Sequence, residues 1–125
     1  MLYSTLEITR EDKQRQLDQW ALNYQAFNAP VILLFFMDSF LRKGSYMDCG
    51  MFIQSIMLSA VEHGLATCPQ AALGEYPDIV REELSYAEDK LLLCGMALGY
   101  EDKSEIVNSY RTPRKDLEKM VRYFS

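Results

Sequence analysis

The side chains that most often carry chemistry in proteins are few in this sequence and lie far apart. Its three cysteines are Cys49, Cys68 and Cys94, and its single histidine is His63. With no CxxC pair, a zinc site built from protein ligands has almost no support, and we predict no metal site. An odd number of scattered cysteines is typical of reduced thiols in a cytoplasmic protein. His63 is most simply a last-turn residue beside a helix C-terminus.

The remaining candidate motifs are equally weak. Gly95 and Gly99 have GxxxG spacing, but within an apolar strand they form neither a membrane-helix dimer motif nor a GxGxxG motif. Glu82 and Glu83 most simply lie on a solvated helix face. The seven methionines fall mostly at core positions, where they fill the interior. Residue types and spacing alone therefore indicate no nucleophile–base pair, no phosphate loop and no metal cluster.

The bulk properties are those of one globular domain. A chain of 125 residues with 49% hydrophobic and 25% charged residues has ordinary composition. The net charge of −5 argues against nucleic acid and anionic membranes as partners. The longest apolar run, Ala29 to Met37, is too short to span a bilayer, and no signal-peptide pattern opens the sequence.

An apolar helix in the middle of the chain organises the rest. From Met47 to His63 apolar residues cover most of the circumference at 3.6 residues per turn, which predicts a helix buried in the core. Asp48 is its candidate cap and Gly64 its stop. A polar loop, Asp38 to Ser45, is predicted before it, and a short strand, Leu65 to Gln70, after it.

Two other apolar runs, Val31–Met37 and Leu91–Tyr100, predict strands covered on both faces. The glycines of the second run predict a close approach of backbone or ligand, or a bulge. Three amphipathic helices are predicted around them: one from a capped start at Thr9 to about Phe27, one beginning at Pro77, and one near the C-terminus with Leu117, Met120 and Val121 inward.

These elements do not add up to a complete core. Two strands that need cover on both faces, with a short third strand, have only three or four helices to cover them. Small isolated sheets are poorly stable and their open edges pair with other strands. The sequence therefore predicts an interior that is completed by a second copy or by a further segment.

Six segments of the sequence stand in a characteristic order across nearly the whole chain. They are Asn28–Pro30, Gly44–Gly50, Gln54–Ala60, Gly64–Ala72, Leu93–Tyr100 and Asn108–Arg114. In this order they resemble the nitroreductase family of flavin-dependent oxidoreductases. Tyr46 departs from the family pattern, which often has tryptophan there, but an aromatic ring is kept. The resemblance implies an α+β fold with a central buried helix against a mainly antiparallel sheet.

The resemblance also implies a place within the family domain. Family members carry about another half-domain before the position where this sequence begins. That half contains an arginine-rich motif and polar residues that hold the flavin. Nothing from Met1 to Asp12 matches that half. We therefore expect residues 1–125 to be a nitroreductase-like domain that is truncated at the N-terminus.

A cofactor loop is implied after the short strand. Pro69, Gln70, Ala71 and Ala72 match the family loop that passes over one face and edge of FMN. Backbone N–H groups of Ala71 or Ala72 are expected to approach the flavin N5 and O4 atoms, where a donor tunes hydride acceptance. The alternative is an ordinary strand-to-helix turn, and Cys68 beside it is more simply a packing residue.

The resemblance matches Arg111 to the family's C-terminal arginine, which binds the flavin phosphate. A fixed guanidinium fork suits a dianion. Its alternative is a surface charge in a loop, and Arg114 is a weaker candidate for the same role. The resemblance implies no catalytic side chain, since the hydride is transferred by the flavin itself.

The implied activity is that of an FMN-dependent oxidoreductase of nitroreductase type. It would pass hydride from NADH or NADPH to a nitroaromatic, a quinone or a similar small acceptor, as a homodimer with flavin at the interface. One alternative is a truncated, non-catalytic protein that dimerises and binds flavin weakly or not at all. Another is a fragment of a complete enzyme. The acceptor and the choice between NADH and NADPH stay open.

Overall fold

A computed structural model of the chain describes residues 2–124. Its helices and strands follow one another as α1 (Leu2–Thr5), α2 (Lys13–Ala21), β1 (Val31–Asp38), α3 (Lys43–Glu62), β2 (Ala66–Gln70), α4 (Pro77–Leu84), β3 (Lys90–Gly99) and α5 (Ile106–Ser109). Three 3₁₀ segments complete the order: Leu22–Asn28, Ala71–Gly74 and Leu117–Lys119.

The three strands form one antiparallel sheet with β3 in the centre, between β1 and β2. Because β3 has neighbours on both sides, it contributes the buried side chains Leu92, Met96 and Ala97. β2 is an outer strand, which tolerates Pro69 although proline has no N–H to donate. The predicted strands and the α+β fold with an antiparallel sheet are confirmed, and α4 begins at Pro77 as predicted.

Gly95 allows another part of the chain to pack directly on β3. A Cβ atom at this position would collide with the side chain of Leu73 and would lie 3.1 Å from Leu34 Cδ2. The Ala71–Gly74 segment therefore packs against the sheet through the space that Gly95 leaves empty. The close approach predicted from the glycines of this strand is confirmed, and the register of β1 and β3 also shifts between Phe35 and Phe36.

The start of α3 differs from the prediction. The helix begins at Lys43, so Gly44 lies in its first turn and not in a loop. Arg42 occupies the N-cap position without a side-chain hydrogen bond, and Asp48 lies more than a turn inside the helix. The helix thus includes in its first turn a glycine, which costs about 1 kcal/mol relative to alanine within a helix.

The end of α3 is the predicted one. Gly64 has a φ of +68°, the left-handed conformation that glycine adopts without strain. The Leu65 N–H donates to the Ala60 carbonyl at 2.8 Å and the Gly64 N–H donates to the Val61 carbonyl at 3.0 Å. This is the Schellman pattern, which satisfies the last carbonyls of the helix and turns the chain toward β2.

The predicted full burial of α3 is not found in the single chain. Its inner side packs on the sheet only in part, because the rings of Phe52 and Phe35 meet with centroids 6.4 Å apart while Phe52 is still 60% exposed. Its outer side is exposed, because the helix crosses one face of the sheet and no other element of residues 2–124 covers it. The outer apolar side chains, each at least 61% exposed, are Met47, Met51, Leu58 and Val61.

The predicted helix from Thr9 to Phe27 is divided into two parts. α2 begins at Lys13, and the Asp12 carboxylate accepts a hydrogen bond from the Thr9 N–H at 3.3 Å, so Thr9 is not the cap. After Ala21 the helix tightens to 3₁₀ geometry and ends in three left-handed residues: Ala26 (φ 47°), Phe27 (φ 51°) and Asn28 (φ 59°). Each costs roughly 1–2 kcal/mol, and complete burial of Ala26 helps to hold the turn.

The predicted C-terminal helix is wrong. A single 3₁₀ turn, Leu117–Lys119, forms in its place. Leu117 is 60% exposed, Met120 61% and Val121 39%, so none is buried as predicted. A short helix is marginal by itself, and these apolar side chains find no surface among residues 2–124 that would stabilise it.

We predict that Gly95→Ala destabilises the fold by about 1–3 kcal/mol, because its methyl group overpacks against Leu73. Gly50→Ala is the matched control, since a Cβ at Gly50 meets nothing within 4 Å. It should stabilise α3 by about 0.5–1 kcal/mol. Urea unfolding measures both changes, and equal stabilities of the two variants would contradict this account of Gly95.

Candidate functional site

The predicted cofactor loop lies where β2 ends at the margin of the sheet. Its residues alternate in exposure: Pro69 and Ala71 are exposed, whereas Gln70 and Ala72 are buried. Gln70 still pairs with Gly95 of β3, and the chain then enters the 3₁₀ turn. The first N–H groups of a helical segment have no acceptor inside that segment. Ala71 therefore presents a small, open stretch of main chain to solvent.

The side chain of Gln70 points into the protein and not toward an open site. Its Nε2 donates to the Asn23 carbonyl at 2.9 Å and to Asn23 Oδ1 at 3.2 Å. The Oε1 atom is buried and has no hydrogen-bond partner in the described part of the chain. Consequently only the main chain of Gln70 is available for a cofactor, as it is for Ala71 and Ala72.

A second contact joins the same two segments. Tyr24 Oη donates to Glu75 Oε2 at 3.2 Å, immediately after the turn. The Tyr24 ring also makes edge contacts with Trp20 and Tyr76, at centroid distances of 5.0 and 5.6 Å. Burial, together with the Glu75 carboxylate, raises the pKa of Tyr24 to about 12. The phenol therefore stays protonated and remains a donor.

Arg111 lies in an exposed segment after α5. Its guanidinium donates to the Asn108 carbonyl, to the Tyr110 carbonyl at 3.1 Å and to Glu101 Oε1 at 3.2 Å. A guanidinium has five N–H donors, so three contacts leave some of them for a further ligand. The side chain is 74% exposed, which keeps those donors accessible to an anion.

The structure does not bring Arg111 and the Ala71 turn into contact. Gln70 pairs with Gly95, whereas Arg111 is held by Glu101, just beyond Gly99 at the other end of the same stretch of β3. Four strand residues separate Gly95 from Gly99, or roughly 13 Å.

An open cleft of about 650 Å³ lies beside the Gly99 end of the sheet. It includes neither Arg111 nor residues 69–72. Cys68 is exposed on the outer strand, although partial burial of its thiol raises the pKa and so does not favour a reactive thiolate. Among the residues that line the cleft are Ala29, Pro30, Thr67, Cys68, Tyr100 and Glu101.

The family model described as the nitroreductase family matches residues 2–100. The chain belongs to the nitroreductase family. The resemblance carried by the six ordered segments is thereby confirmed. The fold and the margin of the sheet described above are thus those of a nitroreductase-family chain.

Characterised relatives agree with this assignment. A 4-nitrobenzoate reductase of Pseudomonas putida is 37% identical over 115 residues, covering 92% of this chain and 51% of the relative. A nitroreductase NfnB of Mycolicibacterium smegmatis is 34% identical over 122 residues, covering 98% of this chain and 52% of the relative. The chain spans about half the length of the curated relatives it matches.

Solved structures match over nearly the whole chain. The FMN and NADPH-dependent nitroreductase NfnB from Sphigopyxis sp. has 38% identity and a TM-score of 0.95, covering 99% of this chain and 56% of that one. The FMN-dependent NfnB from Mycobacterium smegmatis, solved in complex with NADPH, has 33% identity and a TM-score of 0.94, covering 99% and 55%.

Sequence reasoning missed Asn23 and Tyr24, which contact the residues on either side of the Ala71–Gly74 turn. Both lie on a helical segment, with no motif to single them out from its other polar residues.

Residues 2–124 contain no group of three side chains suited to hold a metal ion. No helix in that range has the length and apolar character needed to cross a membrane.

Proposed function

We propose that this protein is an FMN-dependent oxidoreductase of the nitroreductase type. It would pass hydride from NADPH or NADH to a nitroaromatic, a quinone or a similar small acceptor. The observation that carries the proposal is the match to the FMN and NADPH-dependent NfnB, at a TM-score of 0.95 over 99% of the chain. The name of the Pseudomonas relative, a 4-nitrobenzoate reductase, favours a nitroaromatic acceptor.

The residues present fit FMN at both of its ends. Pro69 and Ala71 are exposed and small, so a flat ring has room to lie along their main chain, with N–H groups of Ala71 or Ala72 toward it. Arg111 offers an exposed cation for the phosphate. Gly95 and Gly99, the strand residues near these two places, lie roughly 13 Å apart along β3, a length that an FMN molecule can span. FMN, when bound, supplies the hydride chemistry.

The side chains of this chain therefore act by binding and orientation. Small residues at Ala71 and Ala72 keep the main chain close to the ring, because no bulky side chain intervenes. Arg111 fixes the phosphate end through charge-assisted hydrogen bonds, in competition with the Glu101 carboxylate. We propose no catalytic side chain.

A homodimer is the assembly that best explains the exposed apolar surface. The outer face of α3 exposes Met47, Met51, Leu58 and Val61, and the segment after α5 exposes further apolar side chains. Contiguous apolar patches of this kind mark protein interfaces. A second copy would cover the α3 face by two-fold symmetry.

We also propose a cytoplasmic location, since all three cysteines are free thiols.

The function is tested by the colour and activity of the purified protein. We expect a yellow protein with a flavin absorbance band and equimolar FMN, which oxidises NADPH when 4-nitrobenzoate is added. Apoprotein reconstituted with FMN should regain the band. A protein that stays colourless after FMN addition would contradict the proposal and favour the non-catalytic alternative.

Arg111→Ala should weaken FMN binding without unfolding the protein. Loss of charge-assisted hydrogen bonds worth about 1.5–3 kcal/mol predicts a rise in Kd of roughly 10- to 100-fold. Arg122→Ala is the matched control, because it removes an arginine that lies over the Phe124 ring. Titration of FMN fluorescence measures both constants. If Arg111→Ala binds FMN like the wild type, Arg111 does not belong to the site.

Leu58→Glu should disrupt the homodimer, because it places an unpaired charge in the apolar face of α3. The side chain is 63% exposed in the single chain, so the fold of the subunit should survive. We expect the dimer Kd to rise at least tenfold, or about 1.4 kcal/mol. Light scattering after size exclusion measures the mass, with Gln25→Glu, an exposed polar position outside α3, as the control. If the wild-type protein is monomeric at every concentration, the proposed homodimer interface on α3 is contradicted.

A further inference from the structure

The Ala71–Gly74 turn is held at both ends by two consecutive residues of another segment. Asn23 accepts two hydrogen bonds from Gln70, the residue before the turn. Tyr24 donates one to Glu75, the residue after it. These partners lie 47 and 51 residues apart in sequence. The contacts therefore bracket the turn that the proposed function places against the flavin.

The contact before the turn is partly buried. Gln70 Nε2 lies within hydrogen-bond distance of two acceptors on Asn23, and Gln70 is only 3% exposed. Asn23 is itself oriented, because its Nδ2 donates to the Trp20 carbonyl at 2.8 Å and leaves Oδ1 for Gln70. Hydrogen bonds in a desolvated setting are stronger than those at the surface and restrict the groups that form them.

The contact after the turn depends on a phenol that is fixed by its neighbours. The Tyr24 ring lies between the rings of Trp20 and Tyr76, which limits the directions in which its hydroxyl can point. That hydroxyl donates to the Glu75 carboxylate at 3.2 Å. An acceptor with a full charge makes this a stronger bond than one between neutral groups.

The sheet supports the turn from below. Leu73 packs into the space over Gly95, where a Cβ atom would collide with it. Within the turn, Ala72 is buried, Leu73 and Gly74 are half-buried, and Ala71 is exposed. Contacts at both ends and underneath thus leave Ala71 as the part of the turn that faces outward.

We propose that Asn23 and Tyr24 are positioning residues that clamp the two ends of the Ala71–Gly74 turn and so fix its main-chain N–H groups for the flavin. This inference rests on the proposed function. Neither side chain needs to touch the cofactor, because each acts through Gln70 or Glu75. Donors that are held before the ligand arrives do not need to be reorganised when it binds.

The clamp itself is tested without flavin. Asn23→Ala and Tyr24→Phe remove one contact each, and the double variant removes both. Hydrogen exchange of a peptide that covers residues 70–75 should be about tenfold faster in the double variant, while peptides of β3 keep their rates. Gln25→Ala, an exposed side chain between the clamp and the left-handed turn, is the matched control and should change neither rate. Unchanged exchange in the double variant would overturn the clamp.

The positioning role is tested by flavin binding. In the double variant we expect the Kd for FMN to rise about tenfold and the visible band of bound FMN to shift, because the donors near the ring are no longer fixed. Gln25→Ala should bind FMN as the wild type does. Faster exchange combined with unchanged Kd and unchanged band would show a purely structural contact and overturn the proposal.

The two hypotheses fail in different ways. A wild-type protein that binds no FMN contradicts the proposed function, and with it the positioning role. A wild-type protein that binds FMN, with a double variant of equal affinity, leaves the function intact and contradicts the role of Asn23 and Tyr24 alone. The exchange rates of residues 70–75 decide in both cases whether the turn is clamped.

Discussion

The pairing of β3 with β1 and β2 is the interaction on which the remainder of the structure depends. Successive strand residues point to opposite faces, so Phe35 and Leu34 of β1 mark the two sides of the sheet. Phe35 meets Phe52 of α3 on one side, whereas Leu34 lies near the space over Gly95 on the other. The central strand therefore separates the helix face from the face that supports the Ala71–Gly74 turn.

The sequence predicted those elements whose signals are local. Apolar runs without alternation gave β1 and β3, and Pro77 and Gly64 marked a helix start and a helix end. It did not predict that α3 begins at Lys43, because a glycine and polar residues there look like a loop until the helix packs on the sheet. Burial was also misjudged for α3 and for residues 117–121, since an apolar pattern identifies side chains that need cover and does not identify what covers them.

The candidate site shows the same division. The loop at residues 69–72 and Arg111 were predicted by resemblance, and their role toward a cofactor stays a prediction. The clamp residues Asn23 and Tyr24 could not be identified in this way, because their partners are 47 and 51 residues away. The left-handed conformations of Ala26 to Asn28 were equally hidden, since no glycine marks them. They are imposed by the path from α2 into β1.

The position of β1 at one margin of the sheet has a consequence for handling the protein. Its sequence from Val31 to Met37 contains no charge and no proline, and Val31 and Ile32 are 43% and 47% exposed. Such a segment has the features of a cross-β aggregation site, and its gatekeeper residues, Pro30 and Asp38, stand only at its ends. The other outer strand, β2, carries Pro69, which blocks one donor of its free side. Fibril formation, when the protein is stressed, should therefore start from β1 and not from β2.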